Sequence, residues 1–445
     1  MIHDVRPMAR RPLRLLHFDL KSLTNYGDTV LFDAVRQMFN GFAGGGVFEM
    51  LETFSLHRHV GNWLVDEINE SFDAIVLGGG GLFLRDTNPN ENSGWQWNIP
   101  LPVLMRLRKP LIVFAVGYNR FPGQEDFAPV FATHVAQCVR QSCFFGLRNR
   151  GSIDAIRSYL PADLHGRVEL QPCPTTLGTH LYPDLTAGDG DRSPDPHLGV
   201  ELMVDRRMVA AGYDFDRLFD RHAAVLRRLQ ADGWRVDTVA HMANERHVAE
   251  ELGRRGVDTA AIDLAGSVAA RERGLAYYGS LPIMYGARGH ATMIPFGMGA
   301  IPLGALVHDK VRFFLDDIGH PELGVDPGAD DFEQRAHDVI TGAHARQDEL
   351  RLDLTRRRDE LFKITMANLA TIYERLTGKA IEPSLRPYTP FERKLSDQAF
   401  AVAAELQKTR AWGMKRGETI AALERRVAEL ASAPAESRRA SDPPA

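Results

Sequence analysis

What most constrains this chain is its punctuation: short apolar runs, each stopped by glycine or a polar turn, alternate with amphipathic helical stretches. A strand that is hydrophobic on both faces has to be covered on both faces, and a parallel sheet flanked by helices supplies that cover. Repetition of the pattern is the mark of βαβ units. Runs at 13–18, 72–77, 110–116, 144–147 and 168–170 predict the strands of one sheet. Runs at 198–204, 234–240, 282–286 and 301–307 predict those of a second. Helices are expected after the turn Asn25-Tyr26-Gly27-Asp28 and at about 152–159, 216–230 and 289–298.

A stretch at 182–197 carries Pro, Gly, Asp and Ser without apolar periodicity and reads as a linker. The expected fold class is therefore α/β, with two doubly wound Rossmann-like domains, 13–181 and 198–330, facing a cleft. That layout resembles the GT-B type of glycosyltransferase, in which ligands sit at the carboxyl ends of both sheets. A C-terminal helical extension should follow: a helical segment at 331–382, a helix at 391–431 and a disordered tail at 432–445. In the last helix Ile420, Leu423, Val427 and Leu430 recur at heptad spacing. They suit either packing on the helix's own domain or a homo-oligomer arm.

The chain has 445 residues, 44% hydrophobic and 25% charged, which is enough for two cores. With 53 basic against 58 acidic residues and no basic stripe interleaved with aromatics, a nucleic-acid partner is not expected. Cys138, Cys143 and Cys173 form no C-x-x-C pair, so neither a disulfide framework nor a zinc site is expected. Residues 1–12 are arginine-rich but lead into no hydrophobic signal region, and the longest apolar runs are too short to cross a bilayer. The expectation is a cytoplasmic protein with at most peripheral contact at the inner membrane face.

Chemistry is expected where strands meet helices. Gly78 to Gly81 follow the second predicted strand, where Gly79 and Gly80 would let backbone approach an anion or merely form a tight turn. At the first junction, Asn25, Gly27 and Asp28 face the cleft; Asp28 either caps the helix or binds a sugar hydroxyl. Arg148 ends the fourth strand, where it is either an ordinary surface arginine or a fixed guanidinium well placed for bidentate contact with carboxylate or phosphate. The sharpest feature is Tyr285-Gly286-Ala287-Arg288-Gly289-His290-Ala291. It puts a fixed cation and an imidazole at a helix N-terminus, a place that attracts anions. A bound dianion would raise the pKa of His290 and favour its acid form. The bland alternative is a capping histidine beside an interface arginine. Lys310 is either a second phosphate contact or a solvated charge. His57-Arg58-His59 lacks a third metal ligand and reads as a polar strand face.

As a set, these pieces resemble the polysaccharide pyruvyl transferase family. The resemblance runs from about 13 to 320. It rests on Asn25-x-Gly27-Asp28, Gly78 to Gly81 with Leu82-Phe83, Val116-Gly117, Arg148 with Ser152, and Arg288-Gly289-His290-Ala291. Gly299-Ala300-Ile301-Pro302 and Lys310 follow at the right interval. Four positions depart from the family pattern: Ala287, Gly289, Asn149 and Cys173 before Pro174. The resemblance implies transfer of pyruvyl from phosphoenolpyruvate to hydroxyls of a sugar or lipid-linked oligosaccharide, forming a ketal. No cofactor and no metal are implied. Arg288 and Arg148 would hold the donor's anionic groups, with His290 giving a proton or assisting phosphate departure. Two other readings stay open, a nucleotide-sugar glycosyltransferase and a catalytically silent scaffold of the same family.

Overall fold

A computed structural model describes residues 11–20, 24–121, 123–186, 195–266 and 268–390, together with three isolated positions further on. The expected helix at 391–431 lies almost entirely outside the described residues, and the tail at 432–445 wholly so. Among the described residues the strands form two sheets, and every strand pairing is parallel.

The first sheet comprises β1 (Leu13–Asp19), β2 (Phe48–Glu49), β3 (Thr53–Ser55), β4 (Ala74–Phe83), β5 (Leu111–Tyr118), β6 (Ser142–Leu147) and β7 (Val168–Leu170). Their order is β2-β1-β4-β5-β6-β7, with β3 also on β1. The second contains β8 (His197–Glu201), β9 (Arg235–Ala240), β10 (Ala260–Asp263), β11 (Ile283–Gly286), β12 (Ile301–Ala305) and β13 (Gly324–Val325). Their order is β10-β9-β8-β11-β12-β13. Each sheet is thus doubly wound, with its reversal of direction between β1 and β4 or between β8 and β11. Ligands of such sheets bind at those two points. The GT-B-like α/β arrangement expected from the sequence is the fold of this chain.

The central strands are buried on both faces, which is why they read as unbroken apolar runs: β5 is buried from Leu111 through Gly117. One element differs from expectation. Gly78 to Gly81 do not end a strand; β4 runs through them. Gly78 has φ 135°, and a Cβ there would stand 2.1 Å from the Phe114 carbonyl oxygen. The glycines let β4 press between its neighbours.

Six helices matter for the site and its support: α1 (Tyr26–Gly41), α2 (Arg150–Arg157), α3 (Gly289–Gly297), α4 (Asp309–Asp317), α5 (Phe332–Ala345) and α6 (Gln347–Thr377). The two halves touch directly at the start of α1. Tyr26 N donates to His241 O at 2.9 Å, and Asn25 forms an isolated antiparallel bridge with Met242. Further on, α6 spans both halves. Arg358 Nη1 donates to Phe296 O in the second, whereas Asn368 Nδ2 donates to Leu170 O and Arg375 Nη1 to Cys143 O in the first. The chain then stays with the first half: Arg386 N donates to Gly41 O and Tyr388 N to Leu181 O, both at 2.9 Å. No helix among the described residues is long and apolar enough to cross a membrane.

Candidate functional site

The carboxyl ends of both sheets open onto one cleft of about 300 Å³. From the first half it is lined by Leu20 after β1, Asn25 and Asp28 of α1, Gly81 of β4, Asn119 after β5 and Arg148 after β6. The second half gives Arg207 after β8, His241 after β9, Arg288 to His290 after β11 and Lys310 of α4 after β12. Asn25, Asp28, Arg148, Arg288, His290 and Lys310, proposed from sequence, therefore converge. Gly79 and Gly80 do not line the cleft. They face Leu31 and Ala115 inside the sheet, so only Gly81 of that run is exposed to a ligand. Gly27 also stays off the surface, beneath His290.

Arg148 is the most unusual group. It is 7% exposed, and its Nε and Nη2 are buried without a hydrogen-bond partner. Burial pushes its pKa down, with Cys173 and Asp28 acting in the opposite sense. A Cβ on Gly117 would lie 2.1 Å from Nε, so a glycine is required where the guanidinium passes β5. Isolated charges are not buried this way without a strong reason elsewhere, because desolvation is uncompensated.

Arg288 contrasts with it. Its Nε donates to Glu245 Oε1 and lies 3.4 Å from Glu201 Oε1, and both carboxylates are buried. Glu201 also accepts the N–H groups of Ala287 and Arg288, each at 2.9 Å. Its burial and the neighbouring Glu245 push its pKa up to about 8. Much of the positive charge of Arg288 is therefore spoken for, while its backbone starts α3 with no side chain capping the helix. Lys310 reaches the cleft past Gly289, whose added Cβ would sit 3.4 Å from the lysine Cδ. Burial, then Arg288, Arg148 and Arg207, push the Lys310 ammonium down to about 7.

His290 and Asp28 meet across the two halves, with Nδ1 3.7 Å from Oδ1. The approach depends on Gly27, where a Cβ would stand 2.5 Å from the His290 Cβ and Nδ1. The helix cap itself is Asn25, whose Oδ1 accepts from Gly27 N and Asp28 N and whose Nδ2 donates to Asp28 Oδ2. Asp28 is thus free of the capping duty that the sequence left open. Burial first, then the cations Arg148 and Lys310, hold the imidazole well below its usual range. Burial pushes the Asp28 carboxyl up to about 6, against the pull of Arg288, Lys310 and Arg148. The imidazole is therefore held neutral in a strongly cationic setting, and an anion beside it would raise its pKa.

Several cleft residues escaped the sequence reading. Arg207 pairs with Asp205 through Nε at 2.9 Å and lies over the Phe121 ring at 4.3 Å. His241 donates to or accepts from Tyr278 Oη at 2.6 Å and is held neutral by burial. His57 is not on a strand face: it lies in the turn after β3 and lines the cleft with Gln96. Asn119 had a legible signal, two residues beyond Gly117 at the end of a predicted strand. Among the described residues, no group of three His, Cys, Asp or Glu side chains could hold a metal ion.

The fold is similar to that of Anabaena HepE solved with UDP (TM-score 0.50, 11% identity, 83% of this chain and 100% of that one). It is also similar to an O-GlcNAc transferase variant from Thermobaculum terrenum (0.43, 13%, 90% and 70%). A third similar structure is S. aureus MnaA with UDP (0.46, 9%, 85% and 100%). At these identities the likeness concerns the fold alone. No curated protein matches the sequence. The sequence profile described as polysaccharide pyruvyl transferase matches residues 25–300, which is well over half the chain and includes every strand end from Asn25 to His290 that lines the cleft. This chain belongs to the polysaccharide pyruvyl transferase family.

Proposed function

We propose that the cleft transfers the pyruvyl group of phosphoenolpyruvate to two hydroxyls of one sugar in a bacterial surface polysaccharide or its lipid-linked precursor, met in the cytoplasm. The observation that carries the reading is Arg148, a buried guanidinium with two unpartnered nitrogens that lines a cleft also holding Lys310 and an uncapped helix terminus. Phosphoenolpyruvate brings two anionic groups close together. The Arg148 fork takes one of them bidentately, while Lys310 and the N-terminus of α3 take the other. Arg288, tied to Glu201 and Glu245, fixes the start of α3 rather than clamping the donor alone.

Entry of the donor raises the proton affinity of His290, and Asp28 steadies the resulting imidazolium. The imidazolium then protonates the methylene carbon of the donor, C3, which makes C2 electrophilic. One sugar hydroxyl adds to C2, the C2–O bond to phosphate breaks with its electron pair leaving on phosphate, and a second hydroxyl closes the ketal. The fixed cations stabilise negative charge as it gathers on the departing phosphate.

The test is phosphate release from phosphoenolpyruvate in the presence of para-nitrophenyl glycosides, with carbon NMR of the product for a ketal carbon. Phosphate release with a ketal product is expected. Protein that is stabilised by a nucleotide sugar and not by phosphoenolpyruvate would sink the proposal.

A further inference from the structure

The turn after β3 belongs to none of the groups assigned above, yet His57 faces the cleft from it. His57 Nε2 lies 2.7 Å from Gln96 Oε1, and Gln96 Nε2 donates to the Gly81 carbonyl at 2.9 Å. A carbonyl oxygen only accepts, so the amide must turn its NH₂ towards Gly81. Its Oε1 is then an acceptor, and the imidazole has to carry its proton on Nε2. In the neutral ring the lone pair is then on His57 Nδ1. The relay is held in place, because Gln96 is buried and Asn88 Nδ2 donates to the backbone oxygens of both His57 and Gln96.

This part of the cleft differs in charge from the rest. Gln96 links His57 to Gly81, against which Asn119 packs with its Oδ1 buried and without a hydrogen-bond partner, and the uncharged Leu84 and Thr87 line the same cleft. Arg148, Lys310 and Arg288 come from other elements, while Arg207 borders this wall at Asp86, 3.5 Å away, with its charge shared between Asp86 and Asp205. The geometry points to an acceptor subsite on this uncharged wall, binding the diol of a neutral sugar, with His57 Nδ1 as the base for the attacking hydroxyl. The assignment rests on the donor reading given above.

The step balances. His57 Nδ1 takes the hydroxyl proton as the sugar oxygen bonds to C2, and the C2–C3 π pair takes the proton of the His290 imidazolium at C3 to make a methyl group. Exchange with solvent afterwards moves one proton from His57 back to His290. The bond from C2 to the phosphate oxygen then breaks with its pair on oxygen. The second hydroxyl closes the ketal, and its proton leaves with phosphate as hydrogen phosphate.

The experiment compares wild type, His57→Ala and His57→Gln for phosphoenolpyruvate-induced thermal shift and for transfer to para-nitrophenyl glucoside, galactoside and mannoside. Both variants should keep the donor-induced shift and lose roughly a hundredfold or more in turnover, the usual contribution of a positioned base. Added imidazole should restore part of the His57→Ala turnover, which a purely structural loss would not allow. Wild-type protein that shifts with phosphoenolpyruvate but transfers to none of the three glycosides overturns the acceptor subsite alone. So does His57→Ala that transfers at the wild-type rate or gains nothing from imidazole. Wild-type protein with no donor-induced shift instead defeats the donor reading.

Discussion

Replacing Arg148 with methionine should move stability and donor affinity in opposite directions. In the free protein the guanidinium is buried, with Nε and Nη2 unpartnered, and burial is the largest influence on its pKa. Exchanging buried charge for an apolar chain of similar length is neutral or stabilising by about 1–4 kcal/mol in comparable cases. Asp28 keeps Arg288 and Lys310 as counter-charges, so it is not stranded. The donor loses two charge-assisted hydrogen bonds at about 1.5–3 kcal/mol each. Together that is about 3–6 kcal/mol, or roughly a hundred- to ten-thousandfold in Kd. Thermal unfolding with and without phosphoenolpyruvate reads both effects. At a donor concentration near a hundred times the wild-type Kd, wild type gains about 2.7 kcal/mol, whereas a hundredfold weaker variant gains about 0.4 kcal/mol. An Arg148→Met protein with a lower Tm and an undiminished donor shift would refute the reasoning, since Arg148 would then be a structural cation.

Asp28→Asn tests the electrostatics of the same pocket. Folding raises this carboxyl from 3.8 to about 6, so its stabilising contribution is complete below the lower value and gone above the higher. The stability of Asp28→Asn relative to wild type should therefore rise between about pH 4 and pH 6 and stay level beyond, read from urea midpoints at each pH; a flat difference throughout would show that folding does not shift the group. Gly27→Ala should gain up to about 1 kcal/mol of helix propensity and lose about 1–3 kcal/mol to overpacking. The added methyl falls 2.5 Å from His290, so turnover should drop far more than stability. Equal, small losses in kcat and Tm would mean that His290 relaxes without consequence.

The long strands were legible because burial on both faces makes most of their positions apolar, even where a buried His17, Glu201 or Asp237 interrupts the run. The strands missed by the sequence reading are the ones where that rule fails. β2, β3 and β13 are only two or three residues long, too short to show a pattern, and β10 is mostly exposed. The glycine run was misjudged for a different reason: nothing in the letters of Gly78 to Gly81 says that the chain continues in the sheet. Its positive φ becomes meaningful only beside Phe114 at Gly78 and beside Leu31 at Gly80. In the cleft, Arg148, Arg288, His290 and Lys310 could be picked out because each closely follows a predicted strand. Gln96 and His57 could not. Their pairing joins residues 39 apart, through a turn and a loop whose meeting point is fixed only once β4 lies between β1 and β5. Arg207 lay within reach of the same strand-end logic, six residues after β8, but no motif surrounded it.

The route of α6 bears on how such a protein could be recombined. Because Asn368 and Arg375 fasten this helix to β6, β7 and the residues beside them, and Arg386 and Tyr388 continue along α1 and Leu181, the first half is assembled from both ends of the described chain. A single crossover between β7 and β8 would therefore take the first sheet from one parent and the helix that braces it from the other. Functional chimeras need two joints, one on each side of the second sheet. The first sheet, α1 and the closing helix then travel as one heritable module, and the residues around α3 and α4 as the other.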